Sequence, residues 1–164
     1  MKRIPFANQK SPGLAGKWHV PLNSISLEGD SKLHLPLKAV YGRLDLDPTI
    51  RLPSETTKQI YEAIGAKPNS IFRGASIDCG ARAKLPDLVF DIGGHEVRLT
   101  RDEYSSQQAV YGYPFCVVGI WPSEEEDVAV LGTHLLSKYR VVIDVDENEL
   151  GCKCGMLLVD VDDC

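Results

Sequence analysis

Short apolar or alternating runs, separated by Gly, Pro and Asp, fill most of this 164-residue chain. Runs of this length and spacing are typical of a meandering, mainly antiparallel β domain. The chain length suits one domain with a substantial hydrophobic core. The sequence therefore predicts a mainly β single domain, with strands at residues 18–27, 33–37, 70–79, 88–92, 95–99, 109–113, 116–121, 128–131, 141–145 and 156–159.

One segment has the pattern of a helix instead. Ser54 is suited to the N-cap, Glu55 complements the helix dipole in the first turn, and Gly65 can adopt the left-handed conformation at the C-terminus. Ile60 and Ile64 lie on the same predicted face. We therefore expect a helix that starts near Ser54 and ends at Gly65.

The charge distribution excludes some classes of function. The net charge is -5, and no cationic cluster is longer than Lys2-Arg3, which argues against nucleic-acid binding. No segment has the roughly 18 apolar residues of a membrane span, and the first residues do not predict a signal peptide. As given, the chain would be soluble and cytoplasmic and not bound to a membrane, while its compartment stays unknown. Glu124 to Asp127 is expected to form a solvated loop.

Five motifs, in order, carry a more specific signal. They are the alternating strand from Trp18 to Leu27, a helix ending in Ala-Ile-Gly-Ala, Cys79 followed by Leu-Pro-x-Leu-x-Phe-x-Ile-x-Gly, a second cysteine strand from Phe115 to Ile120, and Val130-Leu131-Gly132 followed by Val-Val-Ile-Asp at residues 141–144. Together they resemble the C-terminal lobe of pepsin-like aspartic peptidases over about residues 17–151.

This resemblance implies a fold and a division of the chain. The expected fold is a single lobe of the pepsin-like, double-psi-type β-barrel with one or two short helices. Residues 1–16 would form an irregular lead-in, residues 17–151 the lobe, and residues 152–164 a Cys/Asp-rich tail. The family is typically secreted or vacuolar. In the resemblance, Cys79 and Cys116 occupy the places of the disulfide of this lobe. In a reducing compartment the same residues would be two buried thiols.

The catalytic motif of the family is degenerate in this chain. Where the family has two apolar residues and Asp-Thr/Ser-Gly-Thr/Ser, the chain reads Arg43-Leu44-Asp45-Leu46-Asp47-Pro48. Anchored on Leu52-Pro53, the register places the catalytic aspartate at Leu44, and a slip of one residue places it at Asp45. The family's reaction needs two carboxylates that share a proton across a water. We therefore expect peptidase activity to be lost.

Three functions remain open for such a lobe. The first is a scaffold that binds a ligand or partner, as a homodimer or with another protein on the exposed lobe interface. The second is an enzyme that performs acid/base isomerisation, cyclisation or hydrolysis of a small molecule. Its candidate catalytic residues are Asp45, Asp47 and His134, with His19 or His34 nearby. The third is a homodimeric peptidase of retroviral type, in which Asp45 or Asp47 meets its symmetry mate.

Each candidate residue also has a structural explanation. Asp45 and Asp47 would be solvated turn carboxylates before Pro48, and each histidine a surface or packing residue. Four aromatic residues could line a cleft or pack in the core: Tyr61, Tyr111, Tyr113 and Trp121.

No cofactor is expected, because the chain has no phosphate loop or dinucleotide fingerprint. The cysteines of the tail could bind a metal together with nearby aspartates, remain free, or form disulfides. A metal is disfavoured because Cys-x-Cys is shorter than the usual zinc-binding spacing. The residues concerned are Cys152, Cys154, Cys164, Asp160, Asp162 and Asp163.

Overall fold

The computed structural model of the chain describes residues 2–5, 19–29, 32–70, 74–144 and 155–160. These residues form a mainly β structure, as the sequence predicted, with three α-helices where one or two were expected. The strands are β1 Lys2–Pro5, β2 His19–Glu28, β3 Leu33–Pro36, β4 Tyr41–Leu44, β5 Ile50–Leu52, β6 Lys67–Asn69, β7 Gly74–Ile77, β8 Asp87–Ile92, β9 His95–Leu99, β10 Ser105–Val110, β11 Tyr113–Val118, β12 Ile120–Pro122, β13 Val128–Leu131, β14 Tyr139–Asp144 and β15 Gly155–Asp160. The helices are α1 Ser54–Ile64, α2 Arg101–Tyr104 and α3 Thr133–Leu136.

The largest sheet has the strand order β12-β5-β13-β4-β2-β8-β9, and β3 pairs with β2 outside this path. Strand β13 lies between β4 and β5, parallel to β4 and antiparallel to β5. Strands β12 and β5 are also parallel. The predicted antiparallel meander is therefore interrupted at the strands that carry the degenerate catalytic motif.

Two smaller sheets complete the fold. One has the order β10-β11-β7-β6 and the other β1-β15-β14. In the second, Lys2–Pro5 pairs antiparallel with Gly155–Asp160. The expectation of an irregular segment over residues 1–16 is therefore wrong for residues 2–5, because their backbone groups pair with a strand from the far end of the chain. The three-part division of the chain itself stays a prediction.

A bulge explains how the long strand β2 contributes to the core. Val20 and Leu22 are buried, and so are Ile25 and Leu27, which have the opposite parity. The pairing with β8 shifts in register between Leu22 and Ser24. The extra residue of a bulge returns the apolar side chains to the same face, so the buried residues on both sides of the bulge belong to the same hydrophobic core as Phe90.

Helix α1 starts and ends where the sequence predicted, but its N-cap differs. Gly65 follows the helix in the left-handed conformation, with φ of 70°. The N-cap is Pro53, and no side chain caps the first turn. Ser54 is the first helical residue, and its hydroxyl donates to the carbonyl of Ser123 at 3.3 Å. The prediction of Ser54 as N-cap is therefore wrong, because Ser54 binds a neighbouring loop.

Several predicted strand boundaries also move. The predicted strand at residues 109–113 is the tip of a hairpin, because Tyr111 and Gly112 form its turn, with φ of 50° and 80°. The predicted strand at residues 116–121 divides at Gly119 into β11 and β12. The predicted strand at residues 70–79 corresponds to β7, and β6 precedes it. Predicted strands 95–99 and 128–131 match β9 and β13 residue for residue.

Cys79 and Cys116 form a disulfide, with a Cα–Cα distance of 5.2 Å. Cys116 lies on β11 opposite Ile77 of β7, and it is buried. The bond fastens the end of β7 to β11 and closes a loop across 37 positions of sequence. The family disulfide implied by the resemblance is thus formed, rather than two separate thiols.

Among the described residues, no helix is both long and apolar enough to cross a bilayer.

Candidate functional site

Residues 45–49, here called the crossing loop, join β4 to β5 by passing over the end of β13. The Asp45 N–H donates to the Leu131 carbonyl at 3.3 Å, and the Thr133 N–H donates to the Asp47 carbonyl at 3.0 Å. Gly132 lies directly beneath the loop. A Cβ at this position would be 2.1 Å from the Thr49 carbonyl oxygen and 2.3 Å from that of Asp47. Close packing on Gly132 therefore fixes the height of the loop above the sheet.

Both carboxylates of the crossing loop bind groups of the same segment. Asp45 Oδ1 accepts the N–H of Asp47 at 3.1 Å, and Asp47 Oδ1 accepts the N–H of Thr49 at 2.9 Å. These are two successive Asx turns, in which an aspartate side chain takes the place of a backbone acceptor. Asp47 Oδ2 also accepts a hydrogen bond from the Arg51 guanidinium at 3.0 Å. The two aspartates therefore hold the crossing loop together, and this is the turn role that was given above as the alternative to catalysis.

Arg43 brings a positive charge to the position that is apolar in the family motif. Its Nε lies 3.9 Å from Asp45 Oδ2, and its Nη1 donates to Glu125 Oε1 at 3.1 Å. Glu125 belongs to the exposed acidic loop, so one member of that loop contacts the crossing loop through Arg43. Sequence reasoning missed Arg43 and Arg51, although each is separated from its aspartate by only two or four positions.

The pKa of the Asp47 carboxyl lies below its usual range. The hydrogen bond from the Thr49 backbone is the main cause, and the Arg51 guanidinium adds to it. A carboxyl whose pKa is lower in the folded state stabilises the fold at a pH above its unfolded value of about 4, and this contribution is lost as the pH falls below that value. Asp47 is thus ionised under all but strongly acidic conditions.

We therefore expect Asp47→Asn to lower the melting temperature at neutral pH, and we expect this difference from the wild type to shrink as the pH falls below about 4 and the wild-type carboxyl takes up its proton. The measurement is thermal unfolding of both proteins across the acid range. Asp127→Asn, in the exposed acidic loop, is the matched control and should not change the melting temperature. A gap between wild type and Asp47→Asn that stays constant down to the lowest pH would contradict this role.

His134 lies in the first turn of α3, directly after Thr133, which binds the crossing loop. Its side chain lines a cavity of about 230 Å³, here called the loop cavity, together with Pro48, Thr49 and Trp121. Asp45 and Asp47 are not among the lining residues. The structure therefore brings His134 next to the crossing loop, but the two carboxylates do not face the cavity that His134 lines.

The other two histidines that the sequence suggested as acid/base partners lie elsewhere. His19 is buried on β2, in register with Arg43 on β4. His34 is exposed on β3, and its Nδ1 shares a hydrogen bond of 2.8 Å with the hydroxyl of Ser26. Neither residue lines the loop cavity. Of the predicted acid/base partners, only His134 thus lies beside both the crossing loop and a cavity.

A larger groove of about 1000 Å³ lies between α1, β6 and β12, and we call it the helix groove. It is lined by Arg51, Lys58, Tyr61 and Trp121. The Arg51 guanidinium lies 5.8 Å from the centre of the Trp121 ring, within the range of a cation–π contact. Trp121 lines both the loop cavity and the helix groove, and Arg51 connects the helix groove to Asp47.

The aromatic residues divide into two groups. The Tyr61 hydroxyl donates to the Ile120 carbonyl, and burial raises the pKa of Tyr61 to about 12. Tyr61 and Trp121 thus line a cleft while they pack against the body of the lobe. Tyr111 and Tyr113 are 98% and 77% exposed at the tip of the β10–β11 hairpin, and they line neither cavity.

The described part of the chain contains no cluster of three or more His, Cys, Asp or Glu side chains with the geometry to hold a metal ion. The candidate ligands Cys152, Cys154, Cys164, Asp162 and Asp163 lie outside the described residues.

Comparison with known proteins identifies a family and several relatives. The model of the eukaryotic aspartyl protease family matches residues 6–153. The chain is similar to vacuolar protease A of Aspergillus fumigatus, with 31% identity over 82% of this chain and 33% of the relative. It is also similar to a vacuolar aspartic protease of Candida albicans, with 29% identity over 82% of this chain and 31% of the relative. For cathepsin D of Clupea harengus the identity is 28%, over 82% of this chain and 34% of the relative. The chain thus spans about a third of the length of these relatives.

Proposed function

Because this chain belongs to the eukaryotic aspartyl protease family, we propose that it uses the family's lobe as a non-proteolytic scaffold that binds a ligand or partner. The observation that carries the proposal is the state of the two carboxylates in the crossing loop. Asp45 accepts a hydrogen bond from its own turn, and Asp47 binds both its turn and Arg51. Both carboxylates are thus engaged in holding the loop, which supports a structural role for them.

The chemistry of the family explains why this arrangement argues against cleavage. Two carboxylates must share one proton, which requires that the pKa of one of them be raised. Asp47 has the opposite environment, since the Thr49 amide and Arg51 lower its pKa. Leu46, in the place of the motif glycine, exposes 90% of its side chain. An exposed, bulky apolar side chain at this position supports the proposal of a binding surface rather than a catalytic site.

The helix groove supports the ligand-binding part of the proposal. Its volume of about 1000 Å³ lies at the upper end of the range for small-molecule sites. Trp121 and Tyr61 provide apolar surface, and Arg51 and Lys58 provide hydrogen-bond donors. For the partner, we propose a second copy of the chain or another protein on the surface of the lobe.

The test is incubation of the purified chain with a peptide library between about pH 2 and pH 5, the acidic range in which a pepsin-type pair of carboxylates shares a proton. We expect no cleavage by the wild type, and no difference between the wild type, Asp45→Asn and Asp47→Asn. Cleavage that Asp45→Asn or Asp47→Asn abolishes would refute the proposal and indicate the homodimeric peptidase instead. Cleavage that survives both substitutions would indicate a contaminating enzyme.

One observation favours an acid/base enzyme as the second candidate. His134 lines the loop cavity and has its backbone next to the crossing loop, so a substrate in that cavity would meet an imidazole. This candidate predicts turnover of a small molecule that His134→Gln abolishes while the melting temperature is unchanged. Turnover that is insensitive to His134→Gln would remove it.

A further inference from the structure

One sheet edge of this protein lacks the usual protection against pairing with another strand. Natural proteins place charges or proline on exposed edges, because unpaired N–H and C=O groups there bind other strands. Among the described residues, β10 is the edge strand that has neither. The other edges each carry at least one such residue: Lys2, Arg3 and Pro5 on β1, Arg140 and Asp144 on β14, Lys67 and Pro68 on β6, Glu96 and Arg98 on β9, Pro122 on β12, and Pro36 on β3.

The absence of charge extends through the whole hairpin. Residues 104–123 contain no Lys, Arg, Asp, Glu or His, although 25% of the chain is charged, so about five charged residues would be expected by composition. The hairpin is also strongly exposed. On β10, every residue after Ser105 is exposed. Its surface is therefore both open and uncharged.

The tip of the hairpin adds apolar surface. Four large hydrophobic residues are exposed in the described part of the chain, and three of them are Val110, Tyr111 and Tyr113. All three lie at or beside the turn between β10 and β11. Exposed aromatic residues grouped in this way mark contact surfaces more often than isolated ones do.

We propose that β10 is a pairing site for β10 of a second copy of this chain, so that two four-stranded sheets join into one eight-stranded sheet. This inference names the partner and the contact that the proposed function leaves open, and it rests on that function only for the existence of a partner. Backbone hydrogen bonds between the two strands would provide the attraction. The exposed hairpin tips would add apolar contacts beyond the ends of the paired strands.

The uncharged, self-matching β10 edge favours a second copy as the occupant. Each copy has a net charge of -5, so two copies repel each other over most of their surfaces. The β10 edge is the place where they meet without opposing like charges, since both partners bring the same Ser, Gln, Ala and Val side chains. Because β10 has no charged side chain, it offers no charge complementarity by which it could select one particular foreign peptide.

Strand geometry limits the register of this pairing. Along one edge of an antiparallel strand, alternate residues direct their N–H and C=O outward, so outward-facing residues pair with outward-facing residues. In a symmetric dimer, the two-fold axis must therefore lie midway between one residue of β10 and the same residue of the second copy, so that this residue pairs with its own symmetry mate. For the longest overlap of Ser105–Val110 with itself, that residue is Gln107 or Gln108. In both registers a glutamine meets its own symmetry mate, and their amides can hydrogen-bond to each other.

The paired area is modest, and this sets the expected strength. Two strands of six residues with their tips bury less than the roughly 1,200–2,000 Å² of a standard stable interface. We therefore expect a weak, concentration-dependent dimer rather than a permanent one.

Sedimentation velocity from about 10 µM to about 1 mM protein tests for a weak dimer of this kind. The test variants are Gln107→Lys, Gln107→Glu, Gln108→Lys and Gln108→Glu. At whichever glutamine pairs with its own symmetry mate, each substitution places two like charges opposite each other. At that position each substitution alone should weaken dimerisation about tenfold or more, because directly opposed like charges are destabilising. A mixture of the Lys and Glu variants should form a heterodimer about as tight as the wild type.

Two controls separate this contact from other effects. Gln59→Lys, on α1 where Glu55 lies one turn earlier, introduces the same charge away from the edge and should leave dimerisation unchanged. Thermal unfolding of the β10 variants should match the wild type, because the substituted side chains are exposed. Amide hydrogen exchange should show protection of β10, but not of β9, that increases with protein concentration.

Three outcomes would overturn the inference. They are a wild type that stays monomeric up to the highest concentration, a dimer that is unaffected by charges at both glutamines, and concentration-dependent protection of another edge instead of β10. None of these outcomes depends on whether the chain cleaves peptides, so the pairing site and the proposed function can fail separately.

Discussion

Gly132→Ala is expected to lower the free energy of unfolding by about 3 kcal/mol or more, because the new methyl group would overlap backbone atoms of the crossing loop and force that backbone to shift. The overlapping atoms are the carbonyl oxygens of Thr49 and Asp47 and the carbonyl carbon of Pro48, at 2.1, 2.3 and 2.9 Å from the added Cβ. In a chain of this length, such a loss lowers the melting temperature by about 6–12 °C. Thermal and denaturant unfolding measure both quantities.

Gly119→Ala is the matched control for this prediction. A Cβ at Gly119 would contact only the Tyr104 carbonyl oxygen, at an ordinary distance of 3.6 Å. We expect its effect to remain within about 0.5 kcal/mol, as for most exposed substitutions. If both variants unfold at the same temperature, the crossing loop does not rest on Gly132 in solution.

Removal of the disulfide is the second prediction with a large effect. We expect Cys79→Ala combined with Cys116→Ala to lower the free energy of unfolding by about 4 kcal/mol, since a closed loop of this length restricts the unfolded chain by about that amount. The two cysteines are 37 positions apart, and their bond joins paired strands β7 and β11. Denaturant unfolding of the wild type and the double variant measures the difference.

Reduction of the wild type provides the control for the disulfide. With a reducing agent present, the wild type should lose a similar amount of stability, while the loss should be much smaller in the double variant, which keeps only the three cysteines of the tail. A wild type whose unfolding is identical with and without reductant would show that the two residues exist as thiols in solution.

Local pattern was sufficient to predict most of the lobe. Strands β9 and β13 and helix α1 were predicted from alternation, apolar runs and the C-terminal Gly65. Helix α2 could have been predicted too, because Thr100 and Glu103 have the Thr-x-x-Glu spacing of a capping box and form one. The pairing of β1 with β15 could not, since a strand of four residues gains its stability from a partner at the other end of the chain.

The site was predictable only in part, for a similar reason. The turn role of Asp45 and Asp47 follows from local sequence, because aspartates in short loops bind amides two residues later. The separation of these carboxylates from the loop cavity depends on where β13, α3 and Trp121 lie in space. Spacing along the chain cannot supply that information, and His134 was therefore grouped with carboxylates that do not share its cavity.

The position of β13 between β4 and β5 also sets an order of events during folding. Strands β4 and β5 are close in sequence, but each pairs with β13 and not with the other. On the ribosome they emerge long before β13, so their edges stay open until the later strand arrives. Contacts between distant parts of a chain slow folding, because closing a long loop costs entropy before any contact is gained. The facing edges of β4 and β5 can therefore be satisfied only once β13 is available, and the crossing loop gains its hydrogen bonds to Leu131 and Thr133 only at that point.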